Sequence, residues 1–193
     1  MYSRNRLRIL AIVLILAGLI GLVPLSYFSL RDKIAVAQSP NIVGHPSKLN
    51  SNTITGHPTG LSIPSLNINL AVIDGSYNAG SGEWTLTLNK AQFATITTPP
   101  NNETGNTLIY GHYRPEVFAY LHLIKPGAQA IVNTNNGYQF IYSFDSSQAF
   151  DPTDASVFAY KGKPRLTLQT CSGSFMQHRQ MYYFHLSDYK KVS

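Results

Sequence analysis

One cysteine, Cys171, and six histidines, His45, His57, His112, His122, His178 and His185, are the residues of this 193-residue chain best suited to covalent or proton-transfer chemistry. A cysteine attacks as its thiolate, which needs a base or cation beside it, and acyl chemistry also needs a positive group or backbone N–H to receive the oxyanion. A single cysteine excludes an internal disulfide. In an exported chain it points to an intermolecular bond or a thiol kept free for reaction, and the competing role is a small buried apolar side chain. The run Arg165-Leu166-Thr167-Leu168-Gln169-Thr170-Cys171 alternates with period two, so Thr167, Gln169 and Cys171 share its more polar face. Cys171 also ends that strand, ahead of Ser172-Gly173-Ser174, a poor place to hide a core residue.

Among the histidines, His112 closes a second apolar run beside Gly111 and opens a loop, a placement that favours it as the partner of a nucleophile. His45 and His57 fall in a stretch that reads as solvated linker, and His185 shares a strand face with Arg179, Met181 and Tyr183. The histidine spacings are irregular and neither HExxH nor CxxC occurs, which argues against a metal site. No cofactor is expected.

These residues must be positioned by an all-β domain. From Leu61 onward, short β-branched and aromatic runs alternate with turn residues. Strands are expected at Leu61–Pro64, Asn67–Ile73, Phe93–Thr97, Thr107–Gly111, Gln129–Asn133, Tyr138–Phe144, Arg165–Cys171 and Gln180–Leu186. Asn136-Gly137 marks a hairpin. One short helix is expected from Pro115 to about Leu123, with Phe118, Leu121 and His122 near one face. Asp145–Pro164 is the longest irregular connection, and a long loop in a compact domain is often functional.

Charged residues make up 12% of the chain, about half the usual 25% or so of a soluble domain, which excludes a disordered polyelectrolyte or charged coiled coil. The formal charge of +6 is concentrated at the start. Residues 1–33 carry Arg4, Arg6, Arg8, Arg31 and Lys33 against Asp32, a net +4. Apart from Lys161, Lys163 and Arg165 no basic patch follows, so nucleic acid is not an expected partner. Ile9–Leu30 is 22 residues without a charge, long enough to cross a membrane, and the three preceding arginines hold the N-terminus inside. Residues 1–8 thus read as cytoplasmic, 9–30 as a transmembrane anchor, 31–60 as an extracytoplasmic linker and 61–193 as the folded domain that carries Cys171. Ala35-Val36-Ala37 resembles a signal-peptidase site, but the apolar run is longer than a signal sequence needs, which favours an uncleaved anchor.

TLQTC at Thr167–Cys171, followed eight residues later by Arg179, resembles the signature of the sortase family. Gly105–Gly127 is similar to the sortase histidine segment, and Leu61–Ser76 to its opening strand pair. Two turns depart from the family pattern: Gly127-Ala128 replaces the usual Gly-Asp, and Pro100-Asn101 the usual Pro-Gly. The resemblance implies a closed eight-stranded β-barrel with short helices and a membrane-anchored cysteine transpeptidase. Cys171 would attack the carbonyl after Thr in a Leu-Pro-x-Thr-Gly-like sorting signal of a surface protein. His112 would protonate the leaving amine, and Arg179 would hydrogen-bond substrate carbonyls and the oxyanion. Thr170 would help hold the substrate through its hydroxyl or backbone. The thioester would then pass to an amine acceptor, a cell-wall precursor or a lysine of another protein such as a pilin. His178 would face away from Arg179, and His185 lies about 20 Å along the strand from it at about 3.3 Å per residue. A hydrolytic cysteine protease and a non-catalytic membrane-tethered β-domain are the competing readings.

Overall fold

The computed structural model describes residues 53–78, 83–172 and 177–192. The apolar run Ile9–Leu30 lies outside them. Among the described residues no helix is long and apolar enough to cross a membrane.

The described residues form ten strands: β1 (Pro58–Ile63), β2 (Ile68–Gly75), β3 (Tyr77–Asn78), β4 (Glu83–Trp84), β5 (Ala91–Ala94), β6 (Asn106–Tyr110), β7 (Gln129–Thr134), β8 (Tyr138–Phe150), β9 (Arg165–Ser172) and β10 (His178–Lys191). Eight of them close into a barrel in the order β1-β2-β5-β6-β9-β10-β8-β7, with β1 pairing β7 to seal it. Closure leaves the sheet no open edge. The β2–β5 and β6–β9 pairs are parallel and the others antiparallel. The barrel expected from the sequence is therefore present.

Alternation divides the apolar side chains between two cores. Leu61, Ile63, Ile109, Phe140, Leu166, Leu168 and Phe184 fill the interior, and Phe118 and Leu121 join them. The other faces of β6 and β10 send Leu108, Tyr110 and Met181 into a second cluster with Ala94 and Val157, against which Trp84, Phe150, Phe158 and Tyr183 pack. Of these, Trp84 and Tyr110 also line the cleft described below.

Several boundaries differ from the sequence reading for identifiable reasons. β1 begins at Pro58, inside the stretch read as linker to residue 60, and Thr55 bridges Asn101. Proline is admissible as the first residue of a strand, where its missing N–H matters least. Strand β8 runs on to Phe150 because DSSQAF pairs with the long β10, so the irregular connection shortens to residues 151–164. Its polar residues hide that pairing from the alternation. The expected helix from Pro115 is instead a set of turns followed by a 3-10 helix at Ala119–Leu123. Val117 and Phe118 are drawn onto Gly111, where a Cβ would lie 2.7 Å from Val117 and 3.2 Å from Phe118. Val117 N–H donates to the Arg114 carbonyl at 2.9 Å and Leu121 N–H to the Phe118 carbonyl at 3.2 Å, three-residue bonds that wind the chain more tightly than an α-helix. Phe118 and Leu121 are buried as expected, but His122 is exposed and its Nδ1 lies 2.6 Å from the Ala119 carbonyl. The Asn136-Gly137 hairpin forms, with Gly137 at φ 78°, a conformation that favours glycine.

Candidate functional site

The ends of β6 and β9 run side by side, and their backbone register decides what meets there. Tyr110 pairs with Gln169, Gly111 N–H donates to the Gln169 carbonyl at 3.0 Å, and His112 follows immediately. On the other side, Cys171 of β9 sits directly opposite Arg179 of β10. Opposed residues have Cβ atoms about 4.5–5.5 Å apart and share a face. Arg179 Nη1 accordingly lies 3.6 Å from Cys171 Sγ. Cys171 is a half-buried free thiol at the edge of the cluster, not within it.

A cleft of about 450 Å³ collects Glu83, Trp84, Tyr110, His112, Cys171 and Arg179. Of the four histidines considered besides His57 and His45, only His112 lines it. His178 Nδ1 is 3.9 Å from Asp151, and His185 Nδ1 is 2.6 Å from Asp145. His57, read as solvated, pairs Nε2 with Asp74 at 2.6 Å and meets Phe93 edge-on. His45 lies outside the described residues. Among the described residues no cluster of His, Cys, Asp and Glu is arranged to hold a metal ion.

Thr170 faces inward, 2% exposed, and its hydroxyl donates to the Gly111 carbonyl at 3.0 Å. That proton is committed within the fold, so the side chain ties the end of β9 to the residue before His112. Thr170 is also among the residues that line the cleft. Gly111 itself admits no side chain, for the reason given above.

The roof of the site comes from a segment without an expected element. The β3–β4 pair places Trp84 parallel to Phe158 at 5.9 Å and edge-on to Tyr110 at 5.1 Å, with Tyr77 at 5.5 Å. Thr85 N–H donates to the Ser76 carbonyl at 3.0 Å, and Thr85 Oγ1 lies 3.3 Å from the Tyr110 hydroxyl. Burial raises the Tyr110 pKa, and the Thr85 contact opposes the rise. Two-residue strands carry no readable period. The only sequence signal was a lone Trp in a stretch rich in Gly, Ser and Asn.

A second groove, about 590 Å³, shares Trp84, Gln169 and Arg179 with the cleft and continues over Ile96, Val157, Phe158 and Met181. Its wall, residues 151–164, is pinned by Asn106. Asn106 Nδ2 donates to the Val157 carbonyl at 3.3 Å, while its Oδ1 accepts from Thr167 Oγ1 at 2.7 Å and Arg165 Nε at 3.3 Å. Arg165 in turn lies over the rings of Tyr160 and Tyr183, at 3.7 and 4.7 Å.

The sortase domain profile matches residues 61–186, from within β1 to within β10. The chain belongs to the sortase family. Sortases are generally cysteine transpeptidases of the cell surface. Solved sortases share the fold. Sortase E1 from Streptomyces coelicolor, solved with a tripeptide in its active site, is 21% identical with a TM-score of 0.55, over 71% of this chain and 91% of that one. Sortase A from Listeria monocytogenes is 21% identical with a TM-score of 0.57, over 70% and 91%. Sortase A from Corynebacterium diphtheriae is 20% identical with a TM-score of 0.58, over 70% and 62%. No curated protein sequence matches the chain significantly.

Proposed function

We propose that the chain is a membrane-anchored transpeptidase that cleaves a Leu-Pro-x-Thr-Gly-like sorting signal and transfers the acyl part to an amine. The observation that carries this reading is the pairing of Cys171 with Arg179, Sγ to Nη1 3.6 Å, in a cleft that His112 also lines. In this mechanism the Cys171 thiolate attacks the carbonyl after Thr, and the oxygen takes up the negative charge. The guanidinium of Arg179 supplies paired, planar donors to that oxygen. The C–N bond then breaks, the amine leaves with a proton from His112, and a thioester to Cys171 remains. An incoming amine reverses the sequence: C–N forms, C–S breaks and sulfur leaves as thiolate. The apolar groove over Ile96, Val157, Phe158 and Met181 suits the Leu-Pro part of the signal. Anchoring is assigned to residues 9–30, with the barrel outside the membrane and surface proteins as acyl donors.

Incubating the full-length chain with such a peptide, with and without an added amine, tests the reading. Amide product formed at the expense of hydrolysis supports it. Release at one rate regardless of amine, without amide, contradicts it and favours a hydrolase.

A further inference from the structure

A transpeptidase binds a second substrate after the first product has left, and the acceptor's route is constrained by the donor's. The proton that His112 gives to the departing nitrogen must, by microscopic reversibility, return from the attacking one. The acceptor nitrogen therefore enters the 450 Å³ cleft that His112 lines, not the apolar groove across Trp84. At neutral pH an alkyl amine arrives as an ammonium, which is stabilised by a carboxylate and repelled by Arg179.

Among the described residues lining that cleft, one is acidic, Glu83. It is exposed and makes no salt bridge among the described residues. The acid bordering the adjacent groove, Asp154, is already engaged, accepting from Ser156 N–H at 2.7 Å. Glu83 is also held in place. It pairs with Asn78 across the β3–β4 ladder, and the next residue, Trp84, is fixed by three aromatic neighbours. A carboxylate on an anchored strand at the mouth of the His112 cleft has the position and charge to receive a cationic nucleophile.

Resting on the transpeptidase reading above, we propose that Glu83 is the subsite for the acceptor's ammonium group, a primary alkylammonium presented either by a peptide N-terminus or by a lysine-type side chain. The bound ammonium loses one proton to solvent. The resulting amine attacks the thioester carbonyl and passes a second proton to His112 as C–N forms, C–S breaks and Cys171 leaves as thiolate. Glu83 acts on capture of the acceptor, so its effect falls on the acceptor KM.

The test compares Glu83→Gln with the unsubstituted full-length chain, using three nucleophiles on the same peptide thioester: triglycine, Nα-acetyl-lysine amide and hydroxylamine, which is uncharged at pH 7. Glu83→Gln is expected to raise KM for a charged acceptor about fivefold relative to hydroxylamine, in the range of an ion pair with partial solvent access. Glu83→Asp should recover part of that loss. A rise for triglycine alone assigns the α-amine, a rise for the lysine derivative alone assigns the side-chain amine, and a rise for both assigns the shared ammonium. Equal changes for all three nucleophiles, or none, overturn the role of Glu83. Absence of any thioester in the unsubstituted chain overturns the transpeptidase reading instead.

Discussion

Asn106 is the structural hinge-pin of the groove wall, and replacing it with Leu should loosen that wall by an amount the structure allows to be worked out. Three hydrogen bonds disappear. The bond from Thr167 matters most, because Thr167 is 0% exposed and its hydroxyl would be left without an acceptor, at a cost of about 1–3 kcal/mol. The bonds to Val157 and from Arg165 are longer, both 3.3 Å, and the guanidinium keeps its two tyrosine rings. Together they bring the total to about 2–4 kcal/mol. Thr167→Val alone should cost about 1 kcal/mol, since Asn106 Oδ1 keeps Arg165. In the double variant neither buried polar end remains, so the loss should fall short of the sum by about 1–2 kcal/mol. Equilibrium urea unfolding of the full-length chain, followed by circular dichroism and by the fluorescence of Trp84, the one tryptophan, measures all four corners. Additivity within about 0.3 kcal/mol would refute the claim that Asn106 and Thr167 share one buried network. In activity, Asn106→Leu should raise KM for the sorting peptide more than it lowers kcat.

Further outcomes follow from the same contacts. Arg179→Lys should fold normally and lose about 2–4 kcal/mol of transition-state stabilisation in kcat/KM, as for an oxyanion donor, and near-normal turnover would remove Arg179 from the site. His112→Ala should abolish transfer at pH 7 and pH 9, while folded His122→Ala, His178→Ala and His185→Ala keep at least about a tenth of it. Phe118→Ala, at a fully buried position, should destabilise the barrel by about 3–5 kcal/mol in the same unfolding assay. Burial pushes the Tyr182 phenol up to about 12 and raises Tyr142 further. The unfolded chain then loses these protons first, so stability holds below about pH 10 and falls as pH rises toward 12. Tyr142→Phe should flatten that decline in unfolding midpoints measured from pH 9 to 12.

All eight barrel strands can be located in the sequence as short β-branched and aromatic runs between turns, and in several of them apolar side chains alternate, as Leu61 with Ile63 and Leu70 with Val72. Their ends cannot. Residues 146–150 of β8 pair with 179–183 at the start of β10, and 188–191 at the end of β10 pair with 138–141 of β8, so tertiary pairing, not local pattern, extends these mostly polar ends. The stretch after Pro115 has helix-compatible residues, and the close packing of Val117 and Phe118 on Gly111 overrides that preference. Cys171 and Arg179 could be matched through the resemblance of TLQTC and the arginine eight residues on to the sortase signature, and His112 by its strand end. Glu83 and Trp84 could not be placed, since a two-residue strand acquires meaning only once the barrel exists to pack against it.

The most direct measurement of the central claim is the intact mass of the full-length chain after mixing with a Leu-Pro-x-Thr-Gly peptide in the absence of amine. The account predicts an added mass equal to the peptide acid through its Thr less one water, mapped to Cys171 and removed by hydroxylamine, and no such adduct in Cys171→Ala. Cleavage of the peptide by Cys171→Ala at an undiminished rate, or turnover by the unsubstituted chain with no adduct on Cys171, would contradict it.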